Sequence, residues 1–409
     1  MLYHLHDLKN AALLPAHILS ENMDFWMSNL PETINPYRPL IAASTQFIER
    51  STRIFTKPNF DIATVDRGGI PLTIKEADVM AKPFCHLKHF QRFYDNNQRV
   101  EDDPKVLIVA PLSGHFATLL RDTTRAMLPH HDVYITDWVD ASRIPLKEGI
   151  FNLQNYIDYL LDFMRCLGEN VHIIAVCQPS VPVLAMASLL AEYNEPCQPR
   201  SMTLMGGPID TRVNPGKVNE FADEHSMDWF KHTLITTVPS YMEGADRRVC
   251  PGFLMLSGFM SLNLQRHKEA GLKLFEHLVR GDDEEAEAHK RFYDEYRSVL
   301  DMPEDYYLDS IRVAFKEHSL PRGILNWRGY VIDPRKIKNT ALMTVEGELD
   351  DISCPGQTLA AHDLCSSLPQ SMKFQHLQKE VGHYGIFNGR RWRTIIQPKI
   401  AEMIAAFND

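Results

Sequence analysis

The chain has 409 residues, with 43 Lys+Arg against 53 Asp+Glu, 18 His, 44% hydrophobic residues and 10% aromatic residues. That is globular composition, which excludes disordered, collagen-like and coiled-coil chains. A formal net charge of −10 with no Lys/Arg-rich stripe excludes nucleic acid as the partner.

In chain order, residues 1–60 read as a helical N-terminal extension with apolar pairs at Phe25-Trp26 and Phe47-Ile48. Asp7, Lys9 and the lack of a small-residue cleavage site argue against a signal peptide. The most apolar run, 171–191, is broken by His172, Gln178, Pro179 and Pro182, so no transmembrane segment is expected. Seven scattered cysteines without a C-x-x-C pair suit reduced thiols in a cytoplasmic chain.

Residues 61–210 read as the first part of an α/β core. Strands are expected at 70–74 and 85–93, then at 105–110, 133–136, 171–176 and 201–205. The last four are short, apolar and β-branched, and helix-length segments separate them. That alternation predicts a mostly parallel sheet flanked by helices. Residues 211–339 read as a mainly helical cap insertion. Gly281-Asp-Asp-Glu-Glu makes a good helix start, and Leu308, Ile311 and Phe315 fall at i, i+3, i+7. The run Pro251-Gly-Phe-Leu-Met-Leu-Ser-Gly-Phe-Met-Ser-Leu is apolar enough for a lid on a site, a buried helix or a surface for an apolar substrate. Strands at 340–345 and 373–377 return the chain to the core, which occupies 340–409.

The segment Ile174-Ala-Val-Cys-Gln-Pro-Ser ends a strand at Cys177 and starts an Ala-rich helix. In the α/β-hydrolase fold the nucleophile occupies such a strand-to-helix elbow. There a cysteine faces the positive end of a helix dipole, which favours thiolate, and the next backbone N–H can stabilise an oxyanion. The usual G-x-S-x-G glycines are replaced by Ala175 and Pro179; alanine is small, and proline is tolerated in a first helical turn. Taken alone, Cys177 reads more readily as a buried structural cysteine, the commoner fate of that residue.

Order strengthens the case. Val345-Glu-Gly-Glu-Leu-Asp-Asp closes a strand, and Gly382-His-Tyr-Gly follows. Nucleophile, acid, histidine is the chain order of an α/β-hydrolase triad, with the acid orienting the imidazole and the imidazole carrying the proton. Asp350 is preferred over Asp351 because it completes a G-x-x-D turn; Asp210, at the end of the strand after the nucleophile's, is a further rival. The loop Pro111-Leu-Ser-Gly-His sits where the second oxyanion amide is expected, so the backbone N–H groups of Leu112 and Gln178 are nominated, with the neighbouring Ser113 as the alternative to Leu112 and Ser113 and His115 as substrate-site candidates. Asp137-Trp138 reads as a strand end. His130-His131, Gly68-Gly69 and Gly206-Gly207 match no metal or phosphate-loop spacing, so neither metal nor cofactor is expected.

The segments Ala110-Pro-Leu-Ser-Gly-His, Tyr134-Ile-Thr-Asp-Trp, Val176-Cys-Gln-Pro, Met205-Gly-Gly-Pro-Ile-Asp, Phe292-Tyr-Asp-Glu-Tyr, Val345-Glu-Gly-Glu-Leu-Asp-Asp-Ile-Ser and Gly382-His-Tyr-Gly-Ile-Phe resemble those of the intracellular polyhydroxybutyrate (PHB) depolymerases. The resemblance covers nearly the whole chain, the opening Met-Leu-Tyr included, and extends to the polyhydroxyalkanoate synthases with their Cys-Asp-His triad. It implies an α/β-hydrolase core, Cys177 as nucleophile, Asp350 as acid and His383 as base. The substrate it implies is poly(3-hydroxybutyrate), and the partner is the surface of intracellular granules. A synthase-like acyltransferase and an inactive granule-coating protein are the alternatives.

Overall fold

The computed structural model describes residues 2–28, 38–262 and 264–408. Two helices come first, α1 (Leu2–Ser28) and α2 (Arg38–Thr52). Strands β1 (Thr64–Arg67), β2 (Ile70–Lys82) and β3 (Cys85–Phe93) follow. The chain then alternates through β4 (Lys105–Val109), α3 (Arg121–Met127), β5 (Asp132–Trp138), α4 (Leu153–Leu167), β6 (Val171–Val176), α5 (Ser180–Glu192) and β7 (Ser201–Met205). Every residue of β6 and β7 is buried, as expected of strands covered on both faces.

After β7 come α6 (Lys217–Glu224) and α7 (Met227–Thr233), then the short strands β8 (Thr236–Thr237) and β9 (Arg248–Cys250). Helices α8 (Gly252–Leu262), α9 (Leu264–Arg280) and α10 (Asp283–Arg297) lead to β10 (Met302–Pro303), which completes a small sheet with β8 and β9. Helix α11 (Glu304–Ile311) and a two-stranded hairpin, β11 (Asn326–Trp327) and β12 (Tyr330–Val331), precede the return to the main sheet. The last elements are β13 (Ala341–Gly347), α12 (Ala361–Leu364), β14 (Lys373–Gln378), α13 (Gly389–Arg391) and α14 (Gln397–Ala406).

The main sheet has nine strands in the order β1-β2-β3-β5-β4-β6-β7-β13-β14. It is parallel from β5 to β14, so β13 docks beside β7 although residues 206–340 lie between them. The edge formed by β1, β2 and β3 is antiparallel. The reason is the length of the links: two residues join β1 to β2, and two join β2 to β3, too few for a parallel crossover. Gly68 and Gly69, at φ +62° and +91°, make the first of these turns, which fits the primed hairpin turns glycine favours. Helix pairs α4/α5 and α3/α14 pack on each other and cover the sheet. No helix is long and apolar enough to cross a membrane among the described residues.

The N-terminal helix is tied to the insertion by a buried polar cluster. The Tyr3 hydroxyl donates to Asp301, whose Oδ1 accepts the Gly252 amide at 2.8 Å at the start of α8. The Tyr3 ring sits edge-on to Phe253, and His6 stacks on the same ring at 4.2 Å. Burial first, and then the neighbouring Asp140 carboxylate, push the Asp301 carboxyl up to about 7, while the Tyr3 and Gly252 hydrogen bonds pull it down. A carboxyl raised in the folded state supports folding below its ordinary value, and this support is lost as pH rises through about 7. An Asp301→Asn variant keeps an acceptor for Gly252 without the buried charge. It is expected to be more stable than the parent at pH 8 by on the order of 1–2 kcal/mol and to lose that advantage at pH 5, as read by thermal denaturation.

Candidate active site

Strand β6 stops at Val176, and Cys177 adopts φ +69°, a left-handed conformation that costs a residue with a side chain roughly 1–3 kcal/mol. The turn is fixed from both sides: the Cys177 amide donates to the Met205 carbonyl at 2.7 Å, and the Cys177 carbonyl accepts from the Ser180 amide at 3.0 Å. Pro179, with φ −58°, then leads into α5, whose first eleven residues are buried. The sulfur is thus presented at the carboxyl end of the sheet, ahead of a helix N-terminus.

Close approach at this elbow falls on neither position of the usual glycines. It falls on Gly207, just beyond β7, where a Cβ would lie 2.0 Å from Ser180 Oγ, 2.2 Å from Ser180 Cβ and 3.1 Å from the Cys177 carbonyl oxygen. Gly206, at φ +56°, would bring a Cβ to 3.0 Å from the His383 ring. The glycine pair therefore makes room for the Cys177 turn and the His383 imidazole together.

His383 opens a short 3₁₀ turn after β14. Its Nδ1 is 2.7 Å from Asp350 Oδ2, and both side chains are buried, at 4% and 0% exposure. The other carboxylate oxygen of Asp350 accepts the amides of Ile352 and Ser353, each at 2.9 Å. Those two bonds lock the carboxylate plane and leave Oδ2 for the ring. Burial alone lowers the affinity of His383 for a proton, but the Asp350 charge, the Cys177 sulfur and hydrogen bonds to both raise it well above the ordinary histidine value. With Nδ1 engaged by Asp350, Nε2 is the nitrogen left for Cys177.

The rivals for the acid lie elsewhere. Asp210 is held by Arg212 through two hydrogen bonds of 2.8 and 2.7 Å, and Asp351 lines a neighbouring cavity. Asp137 pairs with Lys57, and the Trp138 indole donates to the Ala110 carbonyl, so this strand end is structural. No group of three or more His, Cys, Asp or Glu side chains that could hold a metal ion occurs among the described residues.

The Leu112 side chain is buried at 1% exposure, while its neighbours Pro111 and Ser113 line the cavity in front of Cys177. The amides of Leu112 and Gln178 donate no backbone hydrogen bond among the described residues. His115 lines the same cavity, is buried at 2% exposure and bonds the Tyr296 carbonyl through Nε2 at 3.1 Å. Burial lowers its proton affinity to about 4, so the ring is neutral at physiological pH.

The cavity measures about 340 Å³ and takes its walls from three places. Cys177, Gln178 and His383 form the floor, with Leu254, Met255 and Phe259 of α8 on one side and Tyr306, Ile311 and Phe315 on another. The expected helical spacing of Leu308, Ile311 and Phe315 holds only as far as Ile311, where α11 ends; Ile311, Val313, Ala314 and Phe315 line the cavity. A π turn over Arg312–Lys316 breaks the 3.6-residue period there. Two more residues escaped the sequence reading. Tyr306 donates to the Gln178 side chain at 2.9 Å, fixing the residue after Cys177. Glu346 accepts the amides of Gly356, Thr358 and Leu359, and Thr358 in turn bonds Gly207, so β13 shapes the loop that braces the elbow.

The strand order, the Cys177 elbow and the histidine after the last strand define a protein of the α/β-hydrolase fold. Residues 206–408 match the family model of the PHB de-polymerase C-terminus, and the chain belongs to that family of hydrolases. No curated protein matches the sequence. Among solved structures, a monoacylglycerol lipase from Paleococcus ferrophilus is similar at 12% identity, over 81% of this chain and 98% of its own, with a TM-score of 0.44. An esterase from Thermogutta terrifontis is similar at 10% identity, over 85% and 98%, with a TM-score of 0.40. The 2-hydroxy-6-oxo-6-phenylhexa-2,4-dienoate hydrolase of Rhodococcus sp. strain RHA1 stands at 12% identity, over 82% and 99%, with a TM-score of 0.41.

Proposed function

We propose that this protein is an intracellular depolymerase that hydrolyses poly(3-hydroxybutyrate) at granule surfaces through an acyl thioester on Cys177. The observation that carries the reading is the buried His383–Asp350 pair, with 2.7 Å between Nδ1 and Oδ2 and its imidazole also engaged by the Cys177 sulfur at an elbow of positive φ. The family match supplies the substrate class.

The proton on sulfur passes to His383 as the thiolate attacks the ester carbonyl. The carbonyl oxygen becomes an oxyanion within reach of the Leu112 and Gln178 amides. His383 returns the proton to the departing alkoxide, a role suited to a ring whose proton affinity is raised. Water then attacks the thioester, giving its proton to His383, and the thiolate leaves a hydroxy acid. Asp350 keeps the ring in one tautomer and balances its charge throughout. The apolar walls of α8 and α11 hold the methyl-bearing chain and exclude bulk water from the thioester.

The test is to trap the intermediate. Turnover of a soluble 3-hydroxybutyrate oligomer is quenched with acid, the protein is digested, and the peptides are weighed. The Cys177 peptide is expected to gain the mass of one or more hydroxybutyryl units. Hydrolysis accompanied by an adduct on a different residue defeats the assignment.

A further inference from the structure

Beside the reaction cavity lies a second one, of about 360 Å³, between α9, α10 and the Asp351–Ile352 turn. Phe259, Ile352 and Tyr384 line both, so the two cavities share a partition. We propose that the second cavity is the leaving-group subsite, receiving the alcohol-side segment of an uncharged hydroxyalkanoate ester chain whose scissile carbonyl lies at Cys177. The proposal rests on the depolymerase reading above.

Three observations carry it. Tyr384 follows His383 in the chain, and their rings are 5.6 Å apart, nearly perpendicular. In that reading His383 hands its proton to the departing oxygen, so the alcohol half of the chain emerges at Tyr384, which is the partition. The second observation is the contrast in lining. The reaction cavity is almost wholly apolar, whereas the second mixes tyrosine hydroxyls and imidazoles with aromatic faces: His267 bonds Tyr293 at 2.9 Å, and the Tyr296 and Tyr384 rings are 5.3 Å apart. His289 also lines it, and its ring nitrogens have no side-chain partner among the described residues. Such groups suit a chain that presents an ester carbonyl in every unit.

The third observation is charge. Lys273 faces this cavity against Glu285 and Asp351, and His277, which also lines it, is paired with Asp282 at 3.0 Å. Burial keeps His289 neutral, with its proton affinity lowered to about 4. Among the described residues of its lining no positive surplus exists to hold a carboxylate or a phosphate, so the occupant is neutral. A leaving segment of several ester units fits this description, and a lone hydroxy acid anion does not.

The experiment measures how rate depends on leaving-group length. Values of kcat/KM are compared for a methyl-capped 3-hydroxybutyrate tetramer and for ethyl 3-hydroxybutyrate, whose leaving group is too short to fill the cavity. Ala270, which lines only the second cavity, is replaced with phenylalanine. Ala270→Phe is expected to lower the tetramer-to-ethyl ratio by about tenfold or more, and Ala270→Leu, which adds less volume, by a smaller factor. Without any variant, methyl 3-hydroxybutyrate added during turnover is expected to capture the acyl group in place of water with a saturating concentration dependence, since it binds before it reacts.

An unchanged ratio in folded variants, or capture that rises linearly without saturation, overturns the subsite. Preference for the free-acid tetramer over the methyl-capped one overturns the neutral occupant. If the parent protein cleaves neither ester nor oligomer, the depolymerase reading itself fails, and the subsite falls with it.

Discussion

Cys177→Ala is expected to reduce kcat on 3-hydroxybutyrate oligomers by roughly 10⁴–10⁶-fold, because a triad works as a unit and its remaining members cannot form the thioester. The fold should survive. Cys177 already sits at φ +69°, alanine suffers the same left-handed strain, and the thiol contributes no backbone bond to the turn. Melting temperature therefore separates lost chemistry from lost structure. Cys177→Ser tests the sulfur itself: a hydroxyl fits the elbow but gives up its proton far less readily than a thiol, so partial activity, well below the parent, is expected. Hydrolysis by Cys177→Ala within tenfold of the parent would leave the thioester mechanism without a nucleophile.

The parts of this architecture that were readable in the sequence share one property: their signals are local. Strands β4, β6, β7 and β13 announce themselves as short apolar runs because both their faces are buried, and the G-x-x-D turn separates Asp350 from Asp351 within four residues. What could not be read depends on distant segments meeting. Gly207 is a glycine because Ser180 packs against it, and nothing near residue 207 says so. Tyr306 reaches Gln178 across 128 positions, and His115 meets the Tyr296 carbonyl across 181. The π turn at Arg312–Lys316 ends the 3.6-residue period after Ile311, which the spacing of Leu308, Ile311 and Phe315 does not foretell. The antiparallel edge is not written in the strands themselves for a different reason: the two-residue links that decide direction lie between them.

Asp350→Asn is expected to cost about 10⁴-fold in kcat, and the structure explains why so small a change does so much. The carboxylate faces donors on both sides: the Ile352 and Ser353 amides on Oδ1 and the imidazole Nδ1 on Oδ2. An asparagine has one acceptor for these two demands. If its oxygen stays with the two amides, its NH₂ points at His383 Nδ1, which must then accept, and the ring proton moves to Nε2. That nitrogen faces Cys177 and can no longer take the thiol proton. If the amide flips, the NH₂ meets two backbone donors in a fully buried site, an arrangement costing about 1–3 kcal/mol for each group left unpaired. The first arrangement wins, and it is the inactive tautomer.

Losing the carboxylate also removes the largest influence raising the proton affinity of His383, leaving burial opposed by Cys177. The histidine titration, followed by NMR of the ring protons, should therefore move to lower pH in the variant, whatever the residual rate. Asp351→Asn and Asp210→Asn are expected to share neither effect, because the ring's hydrogen bonds go to Asp350 and Cys177 and Asp210 is held by Arg212. A folded Asp350→Asn protein with near-parent kcat and an unmoved His383 titration would take the acid role from Asp350. Equal losses in all three variants would mean that general charge in this region, rather than one oriented carboxylate, sets the state of the imidazole.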